Sequence, residues 1–144
     1  MIFFPVPASN LHQLDFWVGS WEVYVGDEKA GDDVVEASLG GHAITERWKG
    51  AGGDEGMSLF YFRTHEDNWK QVWVTPTPQY KEKVSHGVKG GIQFVGHVFL
   101  KSGKMIDDRT TLTRLPGDRV LQFIEDKIDG KWKTMFKAVY RRKR

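Results

Sequence analysis

The sequence predicts an all-β fold: a closed, antiparallel up-and-down barrel of about ten strands, capped at one end by a short helix. Three observations predict it. Runs of alternating apolar and polar residues recur roughly 8–14 residues apart along the chain. The joints between runs are rich in Gly, Asp and Pro and too short for parallel crossovers, so neighbouring strands run antiparallel. Aromatic residues make up 13% of the chain, with six Trp and nine Phe, and such residues favour strands and fill cores. An open sheet of that size would expose two long edges; closure removes them.

In chain order, Met1 to Pro7 is apolar but has no basic n-region or long apolar core, so residues 1–8 read as an extended arm. Residues 9–18 read as the capping helix. Ser9 or Asn10 can cap it, Asn10 and Gln13 form a capping-box spacing, and Leu11, Leu14 and Trp17 or Val18 share one face. Gly19 ends the helix and a strand follows, with Trp21, Val23 and Val25 on one face and Glu22 and Tyr24 on the other. Residues 26–31 read as a charged turn. Val34 to Leu39 places Val35, Ala37 and Leu39 together. After Gly40-Gly41, His42 to Lys49 places His42, Ile44, Glu46 and Trp48 together.

Residues 50–56 form a glycine-rich acidic loop. Met57 to Arg63 is strongly apolar, and Trp69 to Thr75 sets Trp69, Gln71 and Trp73 on one face before Pro76 and Pro78 end it. Tyr80 to Val88 is a weaker, charged strand, followed by Ile92 to Leu100 and a Thr-rich run from Met105 to Arg114. Leu115-Pro116-Gly117-Asp118 is a turn. Arg119 to Glu125 and Trp132 to Tyr140 make the last pair, joined through Asp129-Gly130. Residues 141–144, Arg-Arg-Lys-Arg, read as a solvated basic tail.

The 144 residues fit a single domain spanning 1–144. There is no Cys, which excludes disulfides, thiolate nucleophiles and cysteine metal sites and fits a reducing compartment. The net charge of +2 gives no reason to expect nucleic acid. No apolar run is long enough to span a bilayer. The expected setting is therefore the cytoplasm, as a monomer or homodimer.

Leu14-Asp15-Phe16-Trp17-Val18-Gly19-Ser20-Trp21-Glu22-Val23 resembles the opening of a bacterial lipocalin-like family of uncharacterised function, which typically reads Phe-Asp-Phe-Trp-x-Gly-x-Trp-x-Val. Residues 40–48, Gly-Gly-His-Ala-Ile-Thr-Glu-Arg-Trp, resemble its second motif, and Trp69-Lys70-Gln71-Val72-Trp73-Val74 its third. Asp129-Gly130-Lys131-Trp132 with Tyr140-Arg141 is similar to its end. The resemblance spans about Leu14 to Arg141. It implies a calycin-type barrel, distantly similar to fatty-acid-binding proteins and nitrobindins, and it brings no agreed activity. Two positions depart from the pattern: Thr75 stands where the family often has Asp, and Lys127 where it often has Ser.

The candidate ligand-binding residues are Trp21, Ile44, Glu46, Trp48, Phe60, Trp69, Gln71, Trp73, Arg109 and Gln122. Glu46 shares a face with Ile44 and Trp48, and a carboxylate among aromatics needs a partner or a raised pKa. Arg109 is its candidate counter-charge. Gln71, between Trp69 and Trp73, is a candidate buried amide that orients a ligand. Trp21, Trp48, Trp69, Trp73 and Trp132 suit both core and ligand wall. The expected function is binding of a small, mostly apolar molecule inside the barrel. The alternative is a small enzyme without a cofactor, an isomerase, cyclase or lyase with Glu46 as acid or base.

No metal or other cofactor is expected. None of His12, His42, His65, His86 and His97 stands two or four residues from another. Haem binding of the nitrobindin kind needs an axial His near the C-terminus, where residues 136–140 read Phe-Lys-Ala-Val-Tyr, so it would have to use His86 or His97. The glycine-rich residues 50–56 open a strand rather than a helix, which argues against phosphate binding. No Gly-x-Ser-x-Gly occurs, so nucleophilic hydrolysis has no support.

Overall fold

A computed structural model describes residues 9–144; the expected N-terminal arm, 1–8, lies outside the described residues. Ten strands form one closed antiparallel up-and-down barrel: β1 Gly19–Val25, β2 Glu28–Ser38, β3 Ala43–Gly50, β4 Glu55–Arg63, β5 Asn68–Val74, β6 Tyr80–Val88, β7 Gly91–Phe99, β8 Met105–Leu115, β9 Arg119–Ile128 and β10 Lys131–Arg142. Each strand pairs with the next, and β1 pairs with β10 through Trp21↔Arg142 and Val23↔Tyr140. With an even number of strands, the last returns antiparallel to the first, and no backbone edge is left open.

The capping segment is two 3₁₀ turns, Asn10–His12 and Asp15–Trp17, rather than one α-helix. So short a helix is marginal on its own, and this segment spends its polar groups on the barrel instead. The Asn10 backbone N–H donates to Asp67 Oδ1 (2.8 Å), and its side-chain amide donates to the Asp67 carbonyl (3.0 Å). Of the two candidate caps, Ser9 is the one in place: its Oγ accepts from the Leu11 N–H, and Asn10 does not form a capping box. Leu14 and Trp17 enter the barrel and are fully buried. Trp21 Nε1 donates to the Trp17 carbonyl at 2.8 Å.

The segment 141–144 is not simply a solvated tail, because β10 continues to Arg142. Arg142 donates to the carbonyls of Val18 (2.6 Å) and Phe16 (3.1 Å), lies over the Trp21 ring at 3.9 Å, and pairs with Asp118. Those carbonyls close a 3₁₀ turn and need donors from elsewhere. Arg142 thus ties the plug, the first strand and the last strand together.

The plugged half of the barrel is filled by one core. Trp17, Trp21, Val35, Ile44, Phe60, Trp69, Phe94, Leu112 and Tyr140 are all buried in it. Trp17 meets Phe60 edge-on at 5.4 Å, and Phe60 meets Phe94 at 5.3 Å. Several expected placements differ. Val25, beyond the register shift in β1, and His42, ahead of β3, are exposed rather than inward. β2 begins at Glu28, so the turn is shorter than 26–31, and its inward residues are Gly31, Asp33 and Val35; Ala37 and Leu39 are exposed. A charged stretch hid the first half of that strand. Trp132 lies outside, because the bulge between Thr134 and Phe136 reverses the faces of β10. Arg109 also lies outside, between the inward Asp108 and Thr110.

Candidate functional site

The strand directions gather the turns around residues 26–27, 51–54, 75–79, 100–104 and 129–130 at the end opposite the plug. Below them is a cavity of about 210 Å³. Trp48 and Trp73 stand at its wall with Ile124 and Phe136, and Trp48 Nε1 donates to Asp54 Oδ2 in the β3–β4 loop at 2.9 Å. The remaining wall is polar: Glu46, Gln71, Lys81, Lys83, Thr110, Gln122 and Tyr140. Two hydrogen-bonded clusters hold these groups.

The first cluster joins β3, β4 and β5 to the closure seam. Gln71 Nε2 donates to Ser58 Oγ (3.0 Å), and Ser58 donates to Glu46 Oε1 (2.8 Å). Asp33 on β2 is fully buried beside Glu46. Burial pushes the Asp33 carboxyl up to about 11, and the charge of Glu46 adds to the shift. As a carboxylate, Asp33 would leave Oδ1 without a donor among the described residues. As an acid it can donate to Glu46, so the two carboxyls share one proton.

Tyr140 lies 2.9 Å from Asp33 Oδ2 and 3.0 Å from Gln122 Oε1. One hydroxyl proton cannot serve both acceptors fully. Turning the Gln122 amide over, so that its nitrogen donates to the Tyr140 oxygen, satisfies all three groups. Burial, followed by the charges of Asp33 and Glu46, raises the Tyr140 hydroxyl above its usual range and keeps it protonated.

The second cluster joins β6, β8 and β9. Lys83 Nζ donates to Asp108 Oδ1 and Thr110 Oγ1, each at 2.6 Å, and Lys81 Nζ donates to Asp108 Oδ2 at 2.8 Å. Burial lowers the Lys83 ammonium to about 8, against the pull of Asp108. Burial alone would raise Asp108, but Lys83, followed by Asp126 and Lys81, outweighs it and holds that carboxyl well below its usual range. Burial and then the bond to Asp108 raise Asp126 to about 7. The second cluster therefore repeats the logic of the first: one carboxyl of a close pair keeps its charge and the other holds a proton.

Lys83 reaches Asp108 across an intervening strand, a span of about 9.5 Å between β6 and β8. In register between them stands Gly96 on β7. With no side chain there, nothing blocks the reach, and a Cβ on Gly96 would collide with the Glu82 carbonyl. Gly96→Ala is therefore expected to lower stability by about 1–3 kcal/mol, read from the urea midpoint. A wild-type midpoint would show that β6 and β7 do not approach so closely here.

Of the residues named from sequence, Glu46, Trp48, Gln71, Trp73 and Gln122 line the cavity. Trp21, Ile44, Phe60 and Trp69 belong to the plugged core. Arg109 is not the partner of Glu46. It donates through Nε to Glu125 Oε1 at 2.9 Å and stacks on Trp132 at 4.0 Å, outside the barrel. Sequence reasoning missed Asp33, Lys81, Lys83, Asp108, Asp126 and Tyr140. The one available signal was parity: Lys81, Lys83 and Ser85 alternate with Glu82, Val84 and His86. The cavity therefore sets charged and amide side chains beside its aromatic and aliphatic wall.

His86 is exposed on the outer face of β6, and His97 pairs with Asp107 outside β7. Neither imidazole can ligate a group held in the cavity. Among the described residues no cluster of three metal-ligating side chains occurs, and no helix is long and apolar enough to cross a membrane. No family model matches the chain, and no curated protein matches it.

Proposed function

We propose that this barrel binds one small molecule in the cavity between Glu46 and Lys83. The observation that carries the reading is the convergence of polar side chains from six strands on a space of about 210 Å³. Interiors are normally packed without such voids. For scale, a cavity of ~150 Å³ holds benzene, so the ligand is about one ring with a substituent. Aromatic walls from Trp48 and Trp73 support a planar body. The cytoplasm remains the proposed setting, which suits a chain without cysteine. Kinship with lipocalin-like barrels is part of the same proposal, supported by the order of the motifs and by the ten-strand meander.

Native mass spectrometry of protein purified under mild conditions tests this. The expected result is a bound mass that is lost on denaturation. It should be absent from Ile124→Trp, which fills the cavity while the circular dichroism spectrum stays that of the wild type. A protein with no bound mass, and no change in Trp48 and Trp73 fluorescence with any of a panel of single-ring compounds, would sink the reading.

One observation favours a second reading, proton transfer. The proton-sharing pair Asp33–Glu46 and the ammonium of Lys83 belong to the same site, the arrangement needed to take a proton and stabilise the charge left behind. Glu46→Gln discriminates. Binding should survive within about tenfold, whereas turnover should fall by roughly 10²–10⁴.

A further inference from the structure

We propose that the open end of the barrel rests on an anionic lipid surface, through an outward row of apolar side chains and the lysines beside it. The proposal does not depend on what fills the cavity.

The register carries its apolar half. Met57, Val74, Tyr80, Phe99 and Met105 stand opposite one another on five successive strands, β4 to β8. Their chain neighbours Ser58, Trp73, Lys81 and Val98 face inward, so the row points out. Val74, Tyr80 and Met105 are 43%, 38% and 57% exposed, and the Tyr80 and Phe99 rings stack at 4.6 Å. Single exposed apolar residues are ordinary. Five in one row make a continuous ridge about 20 Å long. The ridge lies at the strand ends that meet the turns 75–79 and 100–104, beside the mouth of the cavity. Trp132, the second residue of β10, carries the apolar surface past β9, where it touches Arg109 of β8.

Charge selects the partner. Lys101, Lys104, Lys127, Lys131 and Lys133 are exposed around the same turns. The exposed acids beside them are Glu82, Asp129 and Asp107, the last paired with His97. On the far rim the sign is reversed, with Asp27, Glu28, Asp54 and Glu55 against Lys29 and Lys49. A negative surface therefore attracts the ridge side and turns the far rim away. A protein partner fits less well, because lysine is depleted in protein interfaces. The side chains also fan out around a closed barrel, so no flat face covers β4 and β10 together. At a lipid surface, lysine stems lie along the apolar side chains while their ammonium groups stay among the headgroups. Tyr and Trp suit that boundary, and the contact is peripheral, with no span.

Co-sedimentation at pH 7 tests this with two sets of vesicles: phosphatidylcholine alone, and phosphatidylcholine with phosphatidylserine in equal parts. The protein should pellet with the second set only. Salt at about 0.5 M, which screens charges beyond a few ångströms, should release it. Lys101→Gln/Lys104→Gln/Lys131→Gln should weaken binding roughly 10²-fold, at about fivefold per lysine. Met105→Ser should weaken it roughly tenfold. All four positions are exposed, so circular dichroism should stay that of the wild type. Brominated acyl chains should quench wild-type fluorescence more than that of Trp132→Phe. Failure to pellet with either set overturns the proposal, as does equal pelleting with both, or binding that neither variant weakens. A dimer in solution that Met105→Ser dissolves, with vesicles left unbound, would make the ridge a contact between copies and overturn it as well.

Discussion

Asp108→Asn will cost about 3–5 kcal/mol of stability, the expected penalty for breaking a buried ion pair from one side. The Asp108 side chain is fully buried, and Lys83 beside it is 1% exposed. Asparagine keeps the shape and can still accept a hydrogen bond, so a loss of this size would report the missing charge rather than a cavity. Lys81, at 15% exposure, can turn part-way to water; Lys83 cannot. Urea denaturation measures the loss. The double variant Lys83→Met/Asp108→Leu should recover part of it, because both fully buried charges are gone and Lys81, which loses its partner, can turn toward water. An Asp108→Asn protein within about 1 kcal/mol of wild type would mean that water screens the pair, so that the ion pair lies effectively in solvent.

The contrast between Lys83 and Arg109 shows what was legible in the chain and what was not. Strand existence, antiparallel order and closure follow from local alternation and short turns, and all ten strands are present. Glu46 and Gln71 were recoverable because apolar neighbours two residues away on the same strand mark their face. Lys83 had no such neighbours: Lys81 on one side and Ser85 on the other look like a solvated edge. Arg109 stood in a Thr-rich strand whose facing depends on its partners in β7 and β9, information that only register supplies. Trp132 was misplaced for a third reason, a single-residue bulge at the start of β10 that no turn residue announces. Local pattern thus reveals the wall. The charges inside it are set by long-range pairing, and a charged strand reads the same whether its lysines face in or out.

The same buried acids predict an unusual pH profile: the protein should be most stable near pH 4–5 and lose stability toward neutrality. Asp33 rises from the usual 3.8 to about 11 on folding, and Asp126 from 3.8 to about 7. Between pH 3.8 and 7 the native state therefore holds two protons that the unfolded chain has released, so stability falls as pH rises. Each group contributes up to about 1.4 kcal/mol per pH unit within its window. Partial hydration reduces that, and a fall on the order of 2–4 kcal/mol from pH 5 to 7 is expected. Below pH 3.8 the sign reverses. Asp108, held well below its usual range, contributes stability that is lost as it takes up its proton. Above pH 8, Lys83 has released a proton that the unfolded chain keeps until about 10.5, which offsets the continuing loss at Asp33. Urea midpoints at pH 4, 5, 6, 7 and 8 trace the curve. Asp33→Asn isolates the larger component, since its amide can donate to Glu46 and accept from Tyr140 as the protonated acid does. That variant should match wild type near pH 4 and exceed it by at least about 1 kcal/mol at pH 8. Wild-type stability that is flat or rising from pH 5 to 7 would mean that both carboxyl pairs are ionised in the folded barrel and that neither shares a proton.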